Sequence, residues 1–336
     1  MCLSAYQSKL ATTLGFSGPP CFRLYFYERS VGPQGTVARL RNMLSFYHIL
    51  STLSAIPNVT LNNGVIMPMI SAGTWQYDGP TAEQVVKLAL SLGYNHIDAA
   101  NDYNNQVSVG AGLKGVPRSS YFLTTKIDSQ QQSKTAYDAT MKDMELSLSQ
   151  LDLDYVDLML IHFPPTGNDQ YCAAMQEQWR ACEDFYKAGK ARSIGVSNYC
   201  PSSFECILKT ANITPAVNQV EIHVGMGPDP GGIISYCKGK GVQVQAYSPL
   251  GDGSSELITG DLVTGIGKAY NKTGAQVSLH WVYQHGIPLS TKSTNPQYLT
   301  DNKNAVSDDW KLSAQDFATL DAATSPSGHY SFKCTK

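Results

Sequence analysis

The stretch VDLMLIHFP, residues 156–164, decides the fold of this chain. It is a short, almost wholly apolar run that ends at His162 and is closed by Pro164, as expected for a strand buried on both faces. Helix-patterned sequence precedes it at 133–150 and follows it at 173–188. A buried strand between two helices is the repeating unit of α/β proteins with a parallel sheet.

The same alternation runs through the chain from residue 57 onward. The strand candidates are MISAGT (69–74), NHIDAA (95–100), YFLTTKI (121–127), VDLMLIH (156–162), ARSIGVSN (191–198), AVNQVEI (216–222), VQVQAYS (242–248) and IPLSTKS (287–293). The helix candidates lie near 80–92, 105–115, 133–150, 173–188, 201–210, 230–240, 262–285 (two helices) and 296–304. Eight strands, each followed by helical sequence, predict a (β/α)8 TIM barrel. The competing doubly wound sheet requires a G-x-G-x-x-G turn after its first strand, which is absent.

The two ends of the barrel segment differ from this pattern. In NVTLNNGVIMP (58–68), Asn63-Gly64 lies between two β-prone runs, which predicts an N-terminal β-hairpin. Residues 1–55 are basic, with Glu28 as their single acid. Three interpretations of this leader stay open: an organelle transit peptide, a secretory signal peptide, or translated non-coding sequence. We therefore divide the chain into a poorly structured leader, 1–55, and a barrel domain, 56–336.

Composition narrows the class of partner and the compartment. The chain has 336 residues and a net charge of −2, which gives no electrostatic reason to expect nucleic acid or an anionic membrane as partner. Its eight cysteines show no C-x-x-C spacing, so we predict free thiols rather than disulfides or a metal site, and a cytoplasmic location unless the leader directs the chain elsewhere. Asn58, Asn212 and Asn271 each begin an N-x-T sequon, which matters only in a secreted protein.

Four polar residues at neighbouring strand ends predict a proton-transfer site. They are Asp98 and Tyr103 in HIDAANDY (96–103), Lys126 in FLTTKI (122–127), and His162. The carboxyl ends of barrel strands meet at one rim, so these side chains can converge. A free phenol titrates near ~10 and is a poor acid at neutral pH, but a neighbouring ammonium stabilises its phenolate. The set therefore suits general acid catalysis on a carbonyl.

These segments resemble the aldo-keto reductases. HIDAANDYNN, FLTTKI, DLMLIHFPP and SIGVSNY carry the resemblance, which extends from about residue 58 to 305. The short connection after PPTG resembles the compact diketo-gluconate reductase and microbial branch more than the long-looped aldose reductases. It implies NADPH as coenzyme, with NADH possible, and a hairpin that closes the barrel bottom. It also implies that Tyr103 donates the proton, that Lys126 and Asp98 depress its pKa, and that His162 orients the carbonyl. Trp75 would form an aromatic wall beside the substrate.

The resemblance further implies a set of coenzyme-binding residues. Ser197, Asn198 and Gln219 would bind the nicotinamide carboxamide, and Tyr247 would stack on the ring. The other matched positions are Ser248, Leu250, Lys292, Ser293, Thr294, Tyr298 and Asn302. Tyr298 stands where the family usually has an Arg that pairs with the 2′-phosphate, so we predict a weakened preference for NADPH over NADH. Gln106 also departs from the family, which commonly has Glu there.

Three functions follow from these observations. The first is a monomeric reductase of small carbonyl substrates, supported by retention of all four polar residues. The second is a nucleotide-binding regulatory barrel with little turnover. The third is a metal-dependent isomerase or hydrolase, which needs clustered histidines and carboxylates. His96, His162 and His223 lie near strands without an acid cluster, so the sequence predicts no metal site.

Overall fold

The computed structural model describes residues 55–165 and 171–328. The three interpretations of the leader concern residues 1–54 almost entirely and lie outside the described residues. All of the matched motifs, and every predicted site residue, lie inside them.

A closed parallel barrel forms the centre of the fold. Its strands are β3 (Ile70–Gly73), β4 (His96–Asp98), β5 (Phe122–Ile127), β6 (Val156–Ile161), β7 (Ala191–Ser197), β8 (Val217–Glu221), β9 (Gln243–Tyr247) and β10 (Leu289–Thr291). Each pairs with the next in chain order, and β10 returns to β3, which confirms the predicted (β/α)8 barrel. The central strands β5 and β6 are buried along their whole length, as their continuous apolar runs require.

Helices surround the barrel. They are α1 (Gly79–Ser91), α2 (Gln106–Leu113), α3 (Ser133–Leu151), α4 (Cys172–Lys187), α5 (Pro201–Leu208), α6 (Ile233–Gly239), α7 (Ser255–Ile258), α8 (Asp261–Tyr270), α9 (Gly274–Gln284), α10 (Pro296–Ala305) and α11 (Ala314–Asp321). The predicted pair of helices within 262–285 is confirmed. Asn271, directly after α8, adopts a left-handed conformation that ends this helix, and Thr273 and Gln276 form a capping box that starts α9. Among the described residues, no helix combines the length and the apolar character that crossing a membrane requires.

The predicted hairpin is confirmed and closes one end of the barrel. Strands β1 (Asn58–Thr60) and β2 (Ile66–Pro68) pair antiparallel, and Gly64 adopts a φ of 83° in the turn. Met67 and Leu61 pack against apolar residues of the barrel strands, and the Asn62 side-chain amide donates a hydrogen bond to the Pro215 carbonyl at 3.0 Å. The amino end of the barrel is therefore sealed by apolar packing and by side-chain bonds.

The prediction of free thiols is wrong where helices α4 and α5 meet. Cys172, at the start of α4, forms a disulfide with Cys206 in α5, with a Cα–Cα separation of 5.6 Å. Helices α4 and α5 follow neighbouring strands and pack side by side, so residues separated by 34 positions in the chain come within disulfide range. Cys182 and Cys237 are free and buried.

Candidate active site

A cavity of about 750 Å³ opens at the carboxyl ends of the barrel strands. The predicted residues that line it are Trp75, Asp98, Tyr103, His162, Asn198, Gln219, Tyr247, Ser248, Leu250, Lys292, Ser293, Tyr298 and Asn302. Lys126, Ser197 and Thr294 do not line it. The opposite end of the barrel is sealed by the hairpin, so the strand ends that carry the polar side chains face this cavity.

The four residues of the predicted proton-transfer group come together. Lys126 is fully buried behind the cavity wall and forms a close ion pair with Asp98. Its ammonium also donates to the Ala99 carbonyl at 3.0 Å and to the Tyr103 hydroxyl at 3.2 Å. A buried ammonium needs such partners, because an unpaired charge in the interior costs several kcal/mol. Lys126 is thus a fixed positive charge beside the phenol.

The pKa of Tyr103 does not follow the sequence-based expectation. Burial of the hydroxyl raises the pKa of Tyr103 to about 12, and the charge of Lys126 lowers it by less than burial raises it. The charge of Asp98 also raises this pKa, so the expectation that Asp98 would depress it is wrong. Burial opposes the charge on Lys126, but the ion pair with Asp98 outweighs it and raises the pKa of that ammonium. The site therefore pairs a protonated phenol with a permanently charged lysine.

His162 packs against Tyr103, with its ring edge-on to the tyrosine at 5.7 Å between centroids. Its backbone N–H donates to the Ile127 carbonyl at 2.9 Å, and its carbonyl accepts a hydrogen bond from the Asn198 amide at 2.9 Å. The Asp102 carboxylate, which the sequence did not single out, lies 3.1 Å from its Nδ1. His162 is therefore held by the strands on both sides of it and contacted by a carboxylate.

The predicted nicotinamide residues form a connected group, but their side chains are largely bonded within the protein. The Asn198 amide accepts from the Tyr247 hydroxyl at 2.8 Å, and the Gln219 amide donates to Asp98 at 2.7 Å. Ser197 is buried and donates to the Gln219 carbonyl at 2.8 Å, so it supports the wall from behind. Asn198 adopts a φ of 61°, a conformation that Asn tolerates better than most residues.

The predicted phosphate-binding residues lie at the mouth of the cavity. Lys292 is exposed, lies over the Trp75 and Tyr77 rings and contacts the Gln76 side chain. Tyr298, at the start of α10, is 61% exposed, so its ring is open to solvent at the cavity rim. Thr294 is exposed and lies outside the lining set, whereas Asn302 belongs to the lining and is buried.

Two further residues position the site, and the sequence did not reveal their role. The buried Asn105 amide donates to the Thr74 and Tyr77 carbonyls at 2.8 and 3.0 Å, which fixes the loop that carries Trp75. The adjacent Gln106 accepts from Thr125 at 2.5 Å and donates to Gln150 at 2.7 Å. Gln106 therefore joins α2 to β5 and α3 without a charge. The only sequence feature that pointed to these two residues was the run of amide side chains N-N-Q directly after Tyr103.

Comparison with known proteins identifies the family. The Aldo/keto reductase family matches residues 69–325. Glyoxal reductase of Bacillus subtilis (strain 168) is 40% identical over 267 residues, which covers 79% of this chain and 91% of that protein. The 9,11-endoperoxide prostaglandin H2 reductase of Trypanosoma cruzi (strain CL Brener) is 38% identical over 267 residues, covering 78% and 90%. The chain belongs to the aldo/keto reductase family.

Solved structures agree. The aldo-keto reductase MGS-M4 from a deep-sea metagenome library matches with a TM-score of 0.74 and 32% identity, over 83% of this chain and 100% of that one. A Bombyx mori aldo-keto reductase in complex with NADP matches with a TM-score of 0.68 and 30% identity, over 80% and 92%. The protein is an NAD(P)H-dependent oxidoreductase of a family whose coenzyme is NADPH.

The residues present fit this coenzyme. The cavity offers amide side chains and an aromatic hydroxyl at its inner end, at Asn198, Gln219 and Tyr247, and a lysine at its outer end, at Lys292. This order suits a long ligand with a neutral ring at one end and phosphates at the other. Within the described residues, no group of histidines, cysteines and carboxylates is arranged to hold a metal ion.

Proposed function

We propose that the protein reduces an aldehyde, ketone or sugar carbonyl to an alcohol, with Tyr103 as the proton donor. When bound, NADPH supplies the hydride. Tyr103 keeps its proton at neutral pH and stands at the cavity wall, and the Lys126 ammonium lies 3.2 Å from its oxygen. As negative charge develops on the substrate oxygen, the phenol transfers its proton and the ammonium stabilises the resulting phenolate.

The single observation that carries the proposal is the buried Asp98–Lys126–Tyr103 chain, which ends in the cavity. A purely structural role would not require a lysine at 0% exposure with its ammonium directed at a cavity-lining hydroxyl. His162, beside Tyr103, would bind the carbonyl oxygen, and Trp75, which is 41% exposed, would contact the rest of the substrate.

The substrate class is proposed from the cavity and from one relative. The related Bacillus subtilis protein is named a glyoxal reductase. We therefore choose glyoxal and glyceraldehyde as first probes, since both present an aldehyde with a neighbouring oxygen. The cavity lining also includes the Phe163 and Trp75 rings, which can contact apolar substituents.

The decisive experiment is Tyr103→Phe, which removes only the hydroxyl. We expect kcat for NADPH-dependent reduction of glyoxal or glyceraldehyde to fall by about 10²–10⁴, the usual contribution of a positioned general acid. Coenzyme affinity, measured by quenching of tryptophan fluorescence, should change little. The assay follows loss of nicotinamide absorbance with wild type and variant in parallel.

Two other outcomes would contradict the proposal, and the first would favour the regulatory barrel. Tight binding of NADPH without turnover across a panel of aldehydes and ketones would refute the reductase. Turnover that survives in Tyr103→Phe would instead show that another group delivers the proton.

The cytoplasmic location stays a prediction. The Cys172–Cys206 disulfide is a bond more typical of oxidising compartments, and the sequon asparagines Asn58, Asn212 and Asn271 are all exposed. Fractionation of the native source would decide between the cytoplasm and the secretory pathway. A shift in mass after glycosidase treatment is a second measurement, because it would show that the sequons are glycosylated.

A further inference from the structure

Asp102 is a carboxylate at the site that the chemistry above does not use. It lies in the short 3-10 turn Asn101–Tyr103, directly before the proposed proton donor, and it lines the cavity. Its Oδ1 is 3.1 Å from Nδ1 of His162, and its side chain is 40% exposed. Because His162 is proposed to bind the substrate carbonyl, the Asp102 carboxylate can influence that binding.

Asp102 is ionised at neutral pH. Partial burial opposes ionisation, but the contact with His162, together with the charges of His162 and Lys126, outweighs it and lowers the pKa of Asp102. The negative charge beside Nδ1 is therefore a permanent feature of the site under physiological conditions.

The two ring nitrogens of His162 have different surroundings. Nδ1 faces Asp102, although the two groups are not aligned as in a regular hydrogen bond. Nε2 makes no hydrogen bond within residues 55–165 and 171–328. The ring itself lines the cavity and contacts the Tyr103 ring and the Phe163 ring, the latter at 4.7 Å between centroids. Nε2 is thus the nitrogen left for a substrate oxygen.

The carboxylate decides where the proton of a neutral His162 resides. A neutral imidazole carries one N–H and one lone pair. An oxygen anion 3.1 Å from Nδ1 attracts an N–H and repels a lone pair, even where the two groups are poorly aligned. The proton therefore stays on Nδ1, and Nε2 of the neutral ring is an acceptor.

We propose that Asp102 is a positioning residue that holds the His162 proton on Nδ1, so that His162 donates a hydrogen bond to a carbonyl oxygen only as the imidazolium. The proposal rests on the reductase function above. It makes reduction, which needs a donor at Nε2, depend on a second proton. In the reverse reaction the neutral ring accepts from the O–H of an alcohol.

Other charged groups lie around the pair. Lys126 on β5 lowers the pKa of Asp102, and Asp98 on β4 acts on the neighbouring Tyr103. Asp128, after β5, interacts with both Asp102 and His162, and burial followed by the Asp102 charge raises its pKa. Of these three carboxylates, Asp102 is the one in contact with Nδ1. Asp128→Asn is therefore a matched control that removes a nearby carboxylate without touching the contact.

The first test reads the tautomer directly and needs no turnover. The protein is labelled with ¹⁵N-histidine, and the His162 signals are assigned by their loss in His162→Gln. At a pH where the ring is neutral, we expect the Nδ1–H form in wild type and in Asp128→Asn, and a shift toward Nε2–H in Asp102→Asn. An Nε2–H form in wild type would overturn the proposal, even if the enzyme proves to be a reductase.

The second test is the pH profile of reduction. In wild type and in Asp128→Asn, kcat/KM for glyoxal should fall about tenfold per pH unit at high pH, where the ring no longer carries the second proton. In Asp102→Asn the amide can donate to Nδ1, so the neutral ring donates from Nε2 and the profile flattens. If kcat/KM of Asp102→Asn were lower than that of wild type by the same factor at every pH, Asp102 would have only a structural role. Complete absence of turnover in wild type refutes the reductase function, and the tautomer measurement then decides the role of Asp102 by itself.

Discussion

Tyr103 is suited to donate a proton because two influences act on it in opposite directions. Burial raises its pKa to about 12, which keeps the phenol protonated across the working pH range. The Lys126 ammonium, 3.2 Å away, stabilises the phenolate that forms once the proton has left. The proton is therefore retained until the substrate oxygen becomes basic enough to take it.

At the residue scale, Tyr298 predicts the coenzyme preference. Its exposed ring at the cavity rim offers stacking but no positive charge for a 2′-phosphate. We expect wild type to prefer NADPH over NADH by less than about a hundredfold, and Tyr298→Arg to increase that preference by roughly ten- to a hundredfold through charge-assisted hydrogen bonds. Initial rates with each coenzyme give the ratio of kcat/KM.

Tyr298→Phe is the matched control for this change, because it keeps the ring and adds no charge. Its coenzyme ratio should equal that of wild type. A wild-type preference for NADPH above about a hundredfold would mean that Lys292 and its neighbours suffice without the arginine.

Residue identities and their strand ends were enough to predict the group formed by Asp98, Tyr103, Lys126 and His162, because the carboxyl ends of barrel strands share one rim. The contact between Asp102 and His162 was not predictable in the same way. It depends on the direction of a side chain in a short 3-10 turn, which has no periodicity that a sequence pattern could reveal. The net pKa of Tyr103 was missed because burial depth is a tertiary property.

At the scale of elements, the Cys172–Cys206 disulfide ties the start of α4 to α5. These helices follow β6 and β7, whose ends carry His162 and Asn198. The double variant Cys172→Ala/Cys206→Ala should lose about 2–4 kcal/mol of unfolding free energy, since the crosslink restricts the unfolded chain over 34 positions. Urea denaturation of both proteins without reductant measures the loss.

Peptide mapping under non-reducing conditions is the companion measurement. It should recover one fragment that joins the Cys172 and Cys206 peptides, and reduction should separate them. Recovery of both as free thiols, with equal stability of variant and wild type, would show that the bond does not form in solution.

Most helices were predictable from their apolar spacing, but α7 and α11 were not. Helix α7 spans only Ser255–Ile258, too short for a periodic signal, and α11 buries little besides Leu320. A local signal for α11 was present, since Ser313 caps the helix by accepting from the Asp316 N–H at 3.1 Å. The disulfide lacked any such local signal, because cysteine pairing is set by which helices become neighbours.

At the scale of the whole molecule, His96 links the pH of the solution to the stability of the barrel. It is fully buried, with Nδ1 donating to the Pro68 carbonyl at 3.3 Å and Nε2 accepting from Thr124 at 2.9 Å. Burial lowers the pKa of His96 to about 4, so the unfolded chain binds this proton first as the pH falls. The contribution of neutral His96 to the free energy of unfolding is therefore fully present above pH ~6.5 and is lost as the pH falls from there to about 4.

The variant His96→Gln can keep both hydrogen bonds without titrating. Between pH 7 and pH 5 wild type should lose about 2 kcal/mol more unfolding free energy than the variant, from one proton taken up on unfolding. Denaturant unfolding of both proteins at the two pH values tests this. Parallel pH dependences would show that His96 does not govern acid stability.

The barrel as a whole was predictable because eight buried strands alternating with helices leave few other arrangements once a Gly-rich phosphate turn is missing. Closure of the sheet between β10 and β3, and the hairpin beneath it, agree with that prediction. Which loops shape the cavity mouth was not predictable, since loop conformation depends on contacts such as those of Asn105 with Thr74 and Tyr77.

The crosslink between α4 and α5 also bears on how the enzyme is prepared. A host cytosol rich in thioredoxin and glutathione keeps such cysteines as thiols, whereas export to a periplasm allows them to oxidise. This crosslink alone makes the two preparations different covalent species, since it removes two hydrogen atoms and adds a bond between the helices that follow β6 and β7. Kinetic constants from one recombinant preparation would therefore describe that species alone. The number of free thiols should be measured for each preparation whose rates are measured.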